Sequence, residues 1–196
     1  MLILKSFSLS IAAFIFSLMA LGEAAVGSGL HSALSTPPIR FQQISERLFR
    51  SGLAANESEY AFYRAQGIKT IVDLRQGADT DDERAKAEAF GFRYVNIPLS
   101  QASTPSDYLH AERRFFSVVD DPQNGRVVFH CRHGKDRTGL MAALYRVERE
   151  QWSPETAIEE WRAFDGYASD WGDEIKLYFS ARTKILSRRT CQALFR

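Results

Sequence analysis

"HCRHGKDRTG", residues 130–139, follows the apolar run Val127-Val128-Phe129 and precedes Leu140, Leu144 and Val147, which fall on one helical face. A β-branched and aromatic run followed by helical periodicity predicts a strand over 126–130 and a helix over 138–151. Residues 131–137 then form a tight turn from strand to helix. Backbone amides in such a turn point inward and the helix amino terminus adds partial positive charge, making a nest for a tetrahedral oxyanion. Gly134 supplies the freedom for a positive φ. Cys131 falls on the floor of the nest, where the amides, the helix dipole and Arg137 all favour thiolate over thiol. Arg137, six residues on, can fold its planar guanidinium over the loop and hold two phosphate oxygens. Thr138 can donate its hydroxyl to the sulfur, and His130 can support the cysteine backbone.

Other chemistries use some of these residues. Read as zinc ligands, His130, Cys131 and His133 need a further partner from His31, His110 or Cys191. None stands at a supportive spacing, and three adjacent cations oppose a dication, so neither metal nor other cofactor is expected. Sulfur transfer or arsenate reduction, and a phosphate-binding module without turnover, are the remaining alternatives. Against them stand the His, Gly and Thr-Gly context and the retention of both Cys131 and Arg137.

Working outward, short β-like runs alternate with helical stretches. Residues 41–50 read as extended, 57–66 as a helix capped by Asn56 and stopped by Gly67, and 68–74 as a strand. A helix over 81–90 closed by Gly91, a strand over 92–97 and a helix over 106–119 follow. Ser153-Pro154-Glu155 opens another helix, ended by Asp165-Gly166, and a last helix spans 171–186. This pattern predicts an α/β fold: a small, mainly parallel central sheet flanked by helices, with a helical carboxy-terminal half. Ligands of such sheets sit beyond the carboxyl ends of the strands, where 130–139 falls. Arg50-Ser51-Gly52 and Asp73-Leu74-Arg75 lie at strand ends that could approach the same place, although strand-end charges commonly pair locally. Trp152, Trp161 and Trp171 read as core.

The 196 residues suit one domain, expected over 39–190, and 25 Lys+Arg against 24 Asp+Glu leave a formal charge of +1. No global charge points to nucleic acid, and a monomer is expected. Residues 1–25 differ in composition: one lysine near the start, an uncharged stretch over 6–21 and small residues at 22 and 24. They read as a secretory signal peptide, with an uncleaved anchor as the alternative. Cleavage would leave no membrane span and place the chain in the periplasm or outside the cell. Residues 26–38, rich in Gly, Ser and Pro, read as a flexible lead-in. Cys191 lies in a basic tail outside any motif, and a bridge to it would silence Cys131.

Residues 130–139 resemble the His-Cys-x2-Gly-x2-Arg-Ser/Thr-Gly signature loop of the cysteine-based protein tyrosine phosphatase superfamily. Residues 48–75, "LFRSGLAANESEYAFYRAQGIKTIVDLR", look like the amino-terminal half of compact bacterial dual-specificity-like phosphatases and of the plant and fungal atypical dual-specificity phosphatases. The resemblance covers about residues 40–165. It implies a dual-specificity phosphatase-like fold and hydrolysis through a phosphocysteine at Cys131, without a metal. Arg132, His133, Gly134, Lys135, Asp136 and Arg137 become the phosphate-binding set, with His130 and Thr138 in support.

The chain departs from the family in its general acid. Relatives place an aspartate some 25 to 35 residues before the cysteine, and here only Asp107 stands nearby, where it also suits the first turn of a helix. Asp136 is the other candidate, since myotubularin-like lipid phosphatases share an Asp-Arg-Thr ending; its alternative is a cap. A proton supplied from outside the two is the third possibility. Arg132, His133 and Lys135 are either solvated or a cationic mouth similar to that of phosphoinositide phosphatases. Phosphotyrosine or phosphoserine/threonine proteins are the first expected substrates, and phosphoinositides or inositol phosphates the second.

Overall fold

In the computed structural model the described residues are 35–167 and 173–194, with side chains as far as 188. The expected signal peptide, most of the lead-in, Trp171 and the Cys191 side chain lie outside them.

Five strands form one sheet: β1 (Gln42–Gln43), β2 (Leu48–Ser51), β3 (Ile68–Asp73), β4 (Arg93–Asn96) and β5 (Arg126–His130). Their order across the sheet is β1-β2-β5-β3-β4, with only β1 antiparallel. The period of two sorts side chains between the faces. Val127 and Phe129 of β5 join Leu48 and Val72 on one face, while Val128 joins Phe49 and Ile71 on the other.

Helices α1 (Glu57–Ala65) and α2 (Asp79–Ala89) contribute Tyr60, Tyr63 and Ala87 to the second face. Helices α3 (Pro105–Asp120), α4 (Asp136–Arg149), α5 (Pro154–Ala163) and α6 (Asp173–Leu194) cover the first, through Phe115, Leu140, Leu144, Trp161 and Phe179. Two helices begin at the caps the sequence predicts, the side chains of Asn56 and Ser153 accepting from the amides of Glu59 and Thr156; the helix expected from 106 opens at Pro105, where Thr104 accepts from the Asp107 amide.

Several boundaries differ from expectation; α2, for one, opens at Asp79 rather than 81. The extended stretch over 41–50 is instead β1, a tight turn and β2: the Ile44 and Ser45 amides both donate to Leu48 O, reversing the chain. Helix α4 starts at Asp136 rather than 138 because the Gly139 amide reaches Lys135 O at 2.8 Å, closing the first turn inside the motif. The last helix spans Asp173–Leu194 rather than 171–186.

The register aligns the ends of three strands. Ser51 pairs with His130, and Asp73 pairs with His130 on the other side. The segments leaving β2, β3 and β5 therefore emerge together at one edge, as the loop after β5 requires.

Candidate active site

The segment 131–135 carries its carbonyls outward, each held by a donor behind it. The Leu53 amide takes Arg132 O at 3.2 Å, Arg40 Nη1 takes His133 O at 3.2 Å, and Arg50 Nη2 takes Gly134 O at 3.0 Å. Lys135 O receives the Trp161 indole N–H at 3.1 Å as well as the Gly139 amide. Tying successive carbonyls outward leaves the amides facing inward, the arrangement that binds an oxyanion. Gly134 has φ 71°, and an added Cβ would stand 2.8 Å from both Gly52 N and Ser51 O. Glycine is needed there for conformation and for close approach to β2. A Cβ on Gly139 would fall inside the indole of Trp161, which explains the glycine ending the motif. Helix α4 begins without a side-chain cap, so its first amides remain available to a ligand.

Cys131 lies beneath this loop and is 3% exposed. Burial alone raises a thiol's pKa, but the Arg137 charge, the Thr138 hydroxyl and the Thr138 and Gly134 amides outweigh it and hold Cys131 below its ordinary value. Thr138 Oγ1 is buried with no other hydrogen-bond partner among the described residues, so its hydroxyl is available to the sulfur. Arg137 Nη1 donates to Leu99 O at 3.2 Å and Leu74 O at 3.4 Å, seating the guanidinium between the segments after β3 and β4.

Behind the cysteine is a buried charge network. His130 Nδ1 contacts Cys131 O at 3.3 Å and its Nε2 lies 3.1 Å from Glu83 Oε1. Burial opposes protonation of His130, but Glu83 and Asp73 overcome it and raise the pKa to about 9. Arg75 bonds both oxygens of Asp73 and also reaches Glu83; Tyr94 donates to Asp73 Oδ2 at 2.6 Å. Asp73, Glu83 and His130 bring ligand atoms within 4.8 Å of one another, a spacing that could suit a metal ion. The Arg75 guanidinium already binds both carboxylates there, so the trio reads as an ion network.

At the rim, Arg132 pairs with Asp79 at 2.8 Å, while Arg40 and Lys135 share Asp165 at 2.5 and 3.8 Å. His133 is exposed. The mouth is therefore less cationic than residues 130–139 alone suggest. Asp136 occupies the first turn of α4, directly before Arg137. Asp107 completes a capping box: its Oδ2 accepts from Thr104 N at 2.7 Å and from the Thr104 hydroxyl at 2.8 Å. Those bonds hold its carboxyl below the usual range, the wrong direction for a proton donor at neutral pH. Asp107 lines an open pocket of about 450 Å³ with Gln76, His110 and Arg114, none of them from 130–139. The sequence reading missed Arg40, Glu83 and Asp165 and read Trp161 as core, while Arg50, at a strand end that could approach the site, does reach the loop. Their signal lay in long-range pairing, which local motifs do not carry.

Residues 33–174 match the family model described as "DSP-PTPase phosphatase fused to NAD+ Kinase". A dual specificity protein phosphatase, TpbA of Pseudomonas aeruginosa (strain UCBPP-PA14), is 30% identical over 152 residues, 71% of this chain and 66% of its own length. The inositol diphosphatase DSP4 of Arabidopsis thaliana is 26% identical over 133 residues, 67% of this chain and 66% of its length. The matches thus span just under two thirds of these relatives. Among solved structures, that of P. aeruginosa TpbA aligns with TM-score 0.55 and 28% identity over 74% of this chain and 84% of its own. The catalytic core of the PP-IP phosphatase SIW14 from S. cerevisiae aligns with TM-score 0.61, covering 80% and 95%; at 22% identity it speaks for the fold.

Proposed function

Because the chain belongs to this DSP-PTPase family, we propose that it is a cysteine-dependent phosphomonoester hydrolase. One observation carries the reading: a thiolate-favoured Cys131 lies beneath a loop whose carbonyls are tied outward, with Arg137 in the first turn of the helix that follows. The Cys131 sulfur attacks phosphorus and the ester P–O bond breaks, the leaving oxygen taking a proton from the general acid. Water then attacks the phosphocysteine, the P–S bond breaks, and the acid recovers its proton as the thiolate returns. Splitting one displacement into two lowers each barrier. Arg137 and the inward amides stabilise charge on the equatorial oxygens in both steps. Asp136 is the proposed acid, supported by its place beside Arg137 and by the engagement of Asp107 in its cap.

Phosphoproteins are the first proposed substrates. Inositol phosphates or diphosphates are the second, supported by the Arabidopsis relative. The reading includes export, supported by the composition of residues 1–25, and a monomeric mature chain.

The test is a panel of phosphopeptides, inositol phosphates and inositol diphosphates. Cys131→Ser is expected to lose turnover on every substrate while still binding tungstate, and Asp136→Asn to lose the alkaline limb of the rate profile that Asp107→Asn keeps. Turnover retained by Cys131→Ser would falsify the mechanism.

A further inference from the structure

Arg50 is the third residue of β2 and is 0% exposed. The alternation along β2 places it on the face of Leu48, under α4 and α5, while Ser51 turns to the other face and bonds the Tyr63 hydroxyl at 2.6 Å. Its guanidinium stacks 3.8 Å from the centre of the Phe164 ring, and Nη2 donates to Gly134 O. Nε and Nη1 have no hydrogen-bond partner among the described residues. The charged groups that act on Arg50 are Glu160 of α5, Cys131, Arg146 of α4 and Arg40; Glu160 itself is bonded to Arg146. Burial lowers the Arg50 pKa to about 10, which still leaves it charged at neutral pH, and Cys131 is among the groups that favour that charge. A buried guanidinium so sparsely bonded costs stability. Its placement has a return only at the loop above it.

We infer that Arg50 is a positioning residue: its guanidinium holds the Gly134 carbonyl turned out of the anion nest and places a buried positive charge against the loop that carries Cys131. The inference rests on the phosphatase reading for its kinetic consequence, but not for its electrostatic one. The Phe164 ring lies 3.8 Å from the guanidinium while Nη2 reaches the Gly134 carbonyl, and a planar cation suits both contacts. The other groups facing Cys131 are Arg137 and Thr138 of α4, the Gly134 amide and the adjacent His130.

The test uses the full chain with Cys191→Ser, so that iodoacetamide alkylation followed against pH reads Cys131. Arg50→Met is expected to raise the alkylation midpoint by about one pH unit. It should also lower kcat toward p-nitrophenyl phosphate about ten-fold, with KM changed less than about three-fold. Arg50→Lys keeps the charge but not the fork; it should restore the midpoint to within about 0.3 units and leave kcat depressed. A wild-type midpoint or a wild-type kcat in folded Arg50→Met overturns the inference. If Arg50→Met shows no cooperative thermal unfolding, Arg50→Lys decides, and wild-type kcat there overturns it. Alkylation needs no substrate, so failure of the phosphatase reading shows as absent turnover with the midpoint shift intact.

Discussion

The histidine that precedes Cys131 shows how one residue ties the loop to the interior. His130 touches the Cys131 carbonyl on one side and Glu83 on the other, with Asp73, Arg75 and Tyr94 completing the network. Its pKa of about 9 exceeds the unfolded value of 6.5, so the stability it contributes is fully present below pH 6.5 and is lost as pH rises through 9. Asp73 runs the other way: burial opposes its charge, but His130, Arg75 and Tyr94 outweigh it, and the stability this contributes is lost as pH falls through its depressed value. Glu83→Gln removes the nearest counter-charge of His130. The variant is expected to lose about 3 kcal/mol at pH 6, as for a buried pair broken on one side. Its stability should then lack the decline between pH 6.5 and 9; urea unfolding at both pH values checks this, and an unchanged decline would assign it to another group.

Among the elements, α4 does the most. Its uncapped amino terminus faces the anion site, while its Leu140 and Leu144 fill the core and Arg146 bonds Glu150, Glu160 and Ile44 O. Toward its far end it meets α3 and α6 in a second ionic cluster. Arg182 of α6 bonds Glu112 of α3 and Glu148 of α4, and Tyr178 donates to Glu112. Burial, with Glu112 adding to it, raises the Glu148 pKa to about 7. A carboxyl raised in the folded state favours its protonated form, so folding stability falls as pH rises from about 4.5 to 7 and then levels. In Glu148→Gln that slope is expected to vanish while Arg182 keeps Glu112. Thermal melts at pH 5 and 7.5 read the difference; an equal slope in both proteins would place the titration elsewhere.

For the whole molecule, the described contacts of the loop come from both sides of it in the chain: Arg40, Arg50 and Leu53 before it, Trp161 and Asp165 after it. No helix among the described residues is long and apolar enough to cross a membrane. If residues 1–25 are the signal peptide proposed above, their removal should leave kcat and melting temperature within error of the full chain. Cells expressing the full chain should yield the activity in the periplasmic fraction. Activity confined to the cytoplasm of a Gram-negative host would refute export.

Most of the fold was legible because its signals are local. Capping side chains at 56 and 153, the apolar run of β5 and the periodicity after it all act within a few residues. Cys131 and Arg137 were legible for the same reason, since their relation is a spacing along one turn. The start of α4 was placed two residues late because Asp136 and Arg137 add nothing to an apolar stripe, although their amides complete the helical turn. What only the tertiary structure decided is the set of groups that hold the loop in shape. Arg40, Arg50 and Trp161 bind His133 O, Gly134 O and Lys135 O from separate elements. They meet there because the parallel register brings the ends of β2, β3 and β5 to one edge. Residues 130–139 by themselves pointed to an anion nest with Cys131 at its floor. Their backbone orientation depends on donors as many as 93 positions away in the chain, which no local pattern encodes.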